Sequence, residues 1–197
     1  MHGIFFSELR NYIEATQGKE SWNVLLTRAG LANKVYISAS EYPDPEIVAL
    51  IVTGSTMTGL SVAQFLENFG AFLVPTLIKT FGHLLKPQWR TLDVIEHTEA
   101  VVHTGVRVKN PGSKPPELRA FRRSKDEIKL IYSSPRKMCS LAIGIVRGLA
   151  KHFREDIVTT EDSCMHKGAP FCDIVFRRIR SAPASRIVRD GQIITSH

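Results

Sequence analysis

Hydrophobic residues recur at helical spacing through the first half of the chain. The first such segment places Phe5, Leu9, Tyr12 and Ile13 on one face and ends at Gly18. Four further segments also predict helices: "ESWNVLLTRAGL", "EYPDPEIVALIVTGSTMTG", "SVAQFLENFGAFLVPTLIKTFGHLL" and "TLDVIEHTEAVVHTGV". The third of these four has a broad apolar face, which Gly70 and Pro75 interrupt.

The pattern changes after the turn-rich connector "NPGSKPP". The segments "ELRAFRR", "EIKLIY" and "PFCDIVFRRI" are rich enough in alternating or β-favouring residues to predict strands, and "CSLAIGIVRGLAKHF" predicts one long helix among them. The sequence therefore predicts an α+β fold, with a helical N-terminal half packed over a C-terminal antiparallel sheet and one long helix. We expect a single domain over residues 1–180 and a polar tail over residues 181–197.

Composition and charge exclude several classes of function. The chain has 197 residues, of which 43% are hydrophobic, and a formal net charge of +7. Lysine and arginine are spread without a dense basic block, so we expect no nucleic-acid partner. We expect no membrane span, because apolar runs stay short of about 18 residues, and no secretory signal, because charged residues follow the first apolar run closely. Three cysteines favour a reducing, cytoplasmic setting over a disulfide framework.

Two groups of polar residues are candidates for binding chemistry. Tyr132, Ser134 and Arg136 stand at every second position of the segment that joins a predicted strand to the long helix. They either cap the helix or bind a carboxylate, with which a guanidinium pairs bidentately. His103 lies on the apolar side of its predicted helix, as a core residue or as a ligand of haem iron. Together they suit a large flat apolar cofactor with a central metal and carboxylates at one edge. Other charged residues of the region are assigned to the surface: His97, Glu96, Glu99 and Glu155.

The chain resembles the H-NOX family of haem nitric oxide/oxygen binding domains, which is similar to the haem domain of soluble guanylate cyclase. The family's Y-x-S-x-R motif matches Tyr132, Ser134 and Arg136, and the family's interval from that tyrosine back to the proximal histidine falls on His103. The connector also matches, with Pro111 and Gly112 as the family's Pro-Gly pair and Pro116 as the proline that presses on the porphyrin. The resemblance covers roughly residues 1–180.

The resemblance implies a cofactor, a ligand and a partner. It implies haem b held by His103 and by the motif, with Phe5, Leu73 and Leu141 near the haem. Leu141 stands where oxygen-binding members carry a tyrosine, which implies a five-coordinate ferrous haem that selects NO (and CO) over O2. The implied protein is a bacterial, non-enzymatic sensor that regulates a histidine kinase, a diguanylate cyclase or a phosphodiesterase. A peroxidase-like haem enzyme is the less favoured alternative, because the polar distal pair such enzymes use is missing.

Cysteines suggest a second site. Cys139, Cys164 and Cys172, with His166, form a plausible tetrahedral zinc set, or else they are small buried apolar residues. Glu161 or Asp162 is an alternative fourth ligand. A subset of bacterial H-NOX proteins resembles this layout, which implies a zinc site. The rival function for the whole chain is a zinc/thiol redox sensor in which oxidation of the cysteines is the main signal.

Overall fold

The computed structural model describes residues 1–109 and 111–179, together with two short strands, Val188–Arg189 and Gln192–Ile193, that pair antiparallel. Apart from these two strands, the polar tail predicted over residues 181–197 lies outside the described residues. Seven α-helices are present among the described residues: α1 Gly3–Gln17, α2 Ser21–Arg28, α3 Asp44–Thr58, α4 Val62–Phe81, α5 Thr91–His97, α6 Thr104–Lys109 and α7 Cys139–Phe153. Four strands form the main sheet: β1 Glu117–Ser124, β2 Glu127–Ser133, β3 Asp156–Ser163 and β4 Cys172–Ile179.

The predicted fold class is confirmed: a helical N-terminal half lies against a four-stranded antiparallel sheet of order β1-β2-β4-β3. β3 was not predicted, because on this edge strand half-buried residues alternate with exposed ones and most of its residues are polar, so its hydrophobic signal is weak. Apolar residues of β2 and β4, such as Leu130 opposite Ile174, face a buried cluster shared with α5 and α7.

The fourth helix is not broken at either residue that interrupts its apolar face in the sequence. α4 is continuous through Pro75 and starts at a capping box in which Ser61 accepts a hydrogen bond from the backbone N–H of Gln64. Gly70 does not break the helix but lets α7 approach, since a Cβ there would come inside van der Waals contact with the carbonyl oxygen of Leu141. α4 and α7 therefore form a close-packed pair that crosses the middle of the molecule.

The helix predicted around His103 is longer and less regular than expected. α5 passes directly into a π-helical stretch, Thr98–His103, and then into α6. Such π-helical turns are rare and often occur at functional sites. His103 is the last residue of this stretch.

Among the described residues, no single helix is long and apolar enough to cross a membrane. Two consecutive helical segments joined by a bend, Asp44–Thr58 and Val62–Leu84, have the length and hydropathy of a membrane span only when they are taken together.

Candidate functional site

A cavity of about 490 Å³ lies between the helical half and the start of the sheet. Its volume falls within the range of small-molecule and cofactor pockets, roughly 300–1,000 Å³. Residues from α1, α4, α7 and the His103 region supply a mostly hydrocarbon wall, including Ile4, Phe5, Leu77, Ile78, Leu141, Ile145 and Leu149. The cavity therefore suits an apolar ligand.

His103 belongs to the wall of this cavity. Its Nδ1 lies 2.8 Å from Oε2 of Glu99, and 14% of its side chain is exposed. Burial lowers the pKa of His103 below its ordinary value, although hydrogen bonding and charge from Glu99 oppose this. A neutral imidazole with Nδ1 engaged retains Nε2 as its metal-binding nitrogen.

Glu99 is not the surface residue that the sequence predicted. Besides His103, it accepts a hydrogen bond from Nη2 of Arg107 at 2.7 Å and one from the backbone N–H of Leu118 at 3.3 Å. Burial raises the pKa of Glu99, but His103 and Arg107 together lower it below its usual range. The spacing of four residues between Glu99 and His103 is the sequence signal that could have indicated this pair.

The other surface assignments are partly wrong. His97 is half-buried: its ring stacks on Trp89 with a centroid separation of 4.4 Å. Glu155 follows α7 and accepts hydrogen bonds from Arg178 and from the backbone of Thr91. Glu96 pairs with Arg122 of β1. These carboxylates connect elements of the fold and lie outside the cavity wall.

The Tyr-Ser-Arg motif lies at the end of β2 and just before α7. Tyr132 and Arg136 line the cavity, whereas Ser134 does not. Ser134 is buried, and its Oγ accepts a hydrogen bond from the backbone N–H of Arg136 at 3.3 Å. Burial raises the pKa of Tyr132 to about 12, so the phenol remains a hydrogen-bond donor at neutral pH. The motif thus brings one phenol and one guanidinium to the same edge of the cavity.

Arg136 is paired within the protein. Its guanidinium lies 3.0 Å from Oδ2 of Asp44 and also donates to the carbonyl oxygen of Lys114. Asp44 in turn holds the amino group of Met1 at 2.8 Å. Sequence analysis did not identify Asp44 as a residue of this site. A contact across 92 positions of the chain leaves no local signal.

Of the other residues predicted to lie near the haem, three line the cavity and one does not. Phe5, Pro116 and Leu141 line the cavity. Leu73 is not among its lining residues and is fully buried in the neighbouring core, 1% exposed.

The three cysteines come together at a second location, in the buried cluster between the sheet and α7. The Sγ of Cys164 lies 3.9 Å from that of Cys139 and 3.8 Å from that of Cys172. With a carboxylate oxygen of Glu161, these ligand atoms all lie within 4.8 Å of one another. Burial, together with the neighbouring thiols, raises the pKa of Cys139. This donor set of three sulfurs and one oxygen fits a tetrahedral divalent cation that favours thiolates.

His166 is not a member of this group. Its Nε2 lies 2.7 Å from the carbonyl oxygen of Lys137. Of the alternatives for a fourth ligand, the structure brings Glu161 to the sulfurs.

A family model described as Haem-NO-binding (HNOB) matches residues 2–161. No curated protein matches the sequence significantly.

Solved structures of H-NOX proteins match nearly the whole chain. The S. oneidensis H-NOX protein in the Fe(II)NO state is 27% identical, with a TM-score of 0.85, and the match covers 91% of this chain and 100% of that one. The Shewanella oneidensis SO2144 H-NOX domain in the Fe(II)CO state is 26% identical, with a TM-score of 0.82 and coverage of 92% and 100%. The Fe(II) unliganded H-NOX protein of K. algicida shares the fold at 19% identity, with a TM-score of 0.82 and coverage of 92% and 98%.

Proposed function

Since this chain belongs to the Haem-NO-binding (HNOB) family, whose members are sensor domains and not enzymes, we propose that it senses NO at a five-coordinate ferrous haem held by His103. The observation that carries the proposal is the position of His103 in the wall of a largely hydrocarbon cavity of about 490 Å³, with Nδ1 held by Glu99. An imidazole fixed in this way presents Nε2 as an axial ligand. The group would be haem b, and it would supply a ferrous iron that takes NO or CO as a ligand.

Arg136 and Tyr132 would bind the carboxylates of the cofactor. Both line the cavity, and the Arg136 guanidinium is already oriented towards a carboxylate, that of Asp44. A guanidinium pairs bidentately with carboxylates, and the phenol adds one donor. Ser134 would contribute by holding the backbone of Arg136, as it does here. Pro116 and Phe5 would pack against the cofactor.

Selection of NO over O2 rests on the hydrocarbon groups around Leu141. Phe5, Ile78 and Ile145 line the cavity with it and offer no hydrogen-bond donor. Thr98, a polar residue of the wall, donates its hydroxyl to the carbonyl oxygen of Val94 at 2.6 Å. Bound O2 gains from a donor because it carries partial negative charge, and NO has much less need of one. A site of this kind favours NO.

The first test of this function is absorption spectroscopy of the reduced protein. We expect a Soret band that shifts with NO and not with air. His103→Ala should lose the haem unless imidazole is supplied, and Leu141→Tyr should gain stable O2 binding. A normal haem spectrum in His103→Ala would refute the ligand assignment, and failure of the reconstituted wild type to show a Soret band would refute the haem site itself.

Signal output would pass to a separate cytoplasmic protein, a histidine kinase or an enzyme that makes or degrades cyclic diguanylate. The element suited to carry the signal is the α5–α6 run, because it holds His103 and is tied to β1 through Arg122, which binds Asp93 and Glu96. Assay of a co-purified kinase or cyclase with and without NO tests this relay. Identical partner activity in the two states would exclude it.

A zinc/thiol function is favoured by one observation, the clustering of Cys139, Cys164, Cys172 and Glu161. We expect stoichiometric zinc in the wild type, loss of zinc in Cys164→Ser and in Glu161→Ala, and retention in His166→Ala. Zinc that is retained in Cys164→Ser would rule out the site. Loss of partner control in Cys164→Ser with its haem intact would make cysteine oxidation the main signal.

A further inference from the structure

The carboxylate of Glu99 lies against Nδ1 of His103, which leaves Nε2 as the nitrogen that would bind the iron. The two residues are separated by one turn of the π-helical stretch Thr98–His103, and Nδ1 of the histidine is 2.8 Å from Oε2 of the glutamate. Thr104 follows the same widened turn and donates its hydroxyl to the carbonyl oxygen of Glu99 at 3.2 Å. The backbone of this turn therefore places the Glu99 carboxylate within hydrogen-bonding distance of His103.

Glu99 is fixed from two further directions. Arg107, in α6, donates Nη2 to Oε1 at 2.7 Å, and the backbone N–H of Leu118, in β1, donates to Oε2 at 3.3 Å. The carboxylate is therefore held between the helix that carries His103 and the first strand. A carboxylate with three donors around it has little freedom to rotate away from the histidine.

We propose that Glu99 is a positioning residue that sets the strength of His103 as an axial ligand; this inference rests on the proposed function. By accepting the Nδ1–H of His103, Glu99 fixes the tautomer whose free electron pair is on Nε2. Its negative charge also makes the imidazole a stronger electron donor. The histidine would then be released less readily when a gas ligand binds.

Arg107 opposes this effect. Its guanidinium shares the Glu99 carboxylate and neutralises part of its charge. The His103–Glu99–Arg107 set therefore gives the histidine a donor strength between that of an isolated imidazole and that of one paired with a free carboxylate. The two charged partners should act in opposite directions, which a purely structural role would not produce.

The test is resonance Raman spectroscopy of the reduced, haem-loaded protein, together with the rate of haem transfer to excess apomyoglobin. Glu99→Gln keeps an acceptor oxygen and removes the charge, so the iron–histidine stretching band should move to lower frequency. Haem loss should accelerate about ten-fold or more, the usual size of such outer-shell effects. Arg107→Gln should move the band to higher frequency.

Glu96→Gln is the matched control, because Glu96 is on the same helical run, equally exposed at 34%, and paired with an arginine instead of His103. It should leave the band and the rate of haem loss unchanged. A band unmoved in Glu99→Gln, or one that moves downward in both the Glu99 and Arg107 variants, would overturn the inference. If Glu99→Gln does not fold, the direction in which the band shifts in Arg107→Gln tests the inference. Absence of an iron–histidine band from the wild type would instead refute the proposed function.

Discussion

Single glycines determine how closely α4 and α7 approach each other. A Cβ at Gly144 would come inside van der Waals contact with the backbone carbonyl of Glu67, and one at Gly70 would do the same to the backbone of Leu141. Backbone atoms cannot move aside as a flexible side chain can. Glycine is required at these two positions because there is no space for a Cβ. The backbone conformation is not the reason, since neither residue has a positive φ.

Gly144→Ala should destabilise the protein by about 1–3 kcal/mol, the usual cost of overpacking a core. Chemical denaturation of the apoprotein measures it. Gly82→Ala is the control, because a Cβ at Gly82 would make only an ordinary contact with Ile78 at 3.6 Å. Equal stability of the two variants would contradict the role of close helix approach.

Asp44 should make the apoprotein sensitive to acid. Burial raises the pKa of Asp44, but the Met1 amine and Arg136 outweigh it, so the folded-state pKa lies below the ordinary 3.8. A depressed carboxyl pKa stabilises the fold above the unfolded pKa, and this contribution is lost as the pH falls through the folded pKa. Asp44→Asn should therefore flatten the dependence of the unfolding free energy on pH below about pH 4. Parallel curves for the two proteins would exclude the effect.

At the scale of elements, an arginine connects the helix of His103 to the sheet. Arg122 of β1 donates to Asp93 at 2.7 Å and to Glu96 at 2.7 Å. Arg122→Met should lower the free energy of unfolding by about 1 kcal/mol, since the network is only partly buried. Arg123→Met is the control, because Arg123 is its neighbour on the strand and makes one looser contact, 3.5 Å to Glu127. Denaturant titration of the two variants should separate them; if they lose equal stability, the connection has no special role.

The elements also show how far the sequence predicts this structure. Helices and strands with regular hydrophobic spacing were predicted correctly. His103 and Arg136, which the sequence singled out, both line one cavity, and their role in haem binding stays a prediction. The sequence did not show that α4 would run unbroken through Pro75 and pack closely against α7. β3 was missed because half of its positions face solvent. The Asp44–Arg136 pair was missed because tertiary folding brings distant residues together without a local pattern. The cysteine group was predicted, but the choice of Glu161 over His166 beside it depends on tertiary folding as well.

For the whole molecule, the cavity is where separate elements meet. Its wall takes Phe5 from α1, Leu77 from α4, His103 from the π-helical stretch and Leu141 from α7, so a ligand there would contact these four helical elements at once. A ligand that binds only the folded state stabilises it by mass action, by about 4 kcal/mol at a thousand-fold excess over its dissociation constant.

Haem loading should therefore raise the unfolding temperature of the entire domain in one cooperative step. Calorimetry of the apo and haem-loaded proteins measures the shift, and circular dichroism and tryptophan fluorescence should report the same transition. His103→Ala should show a smaller rise, because it retains the cavity and loses the proposed axial ligand. A haem-loaded protein that melts at the temperature of the apoprotein would mean that the haem binds outside this cavity. A second, unshifted transition would mean that the sheet unfolds independently of the helices around the haem.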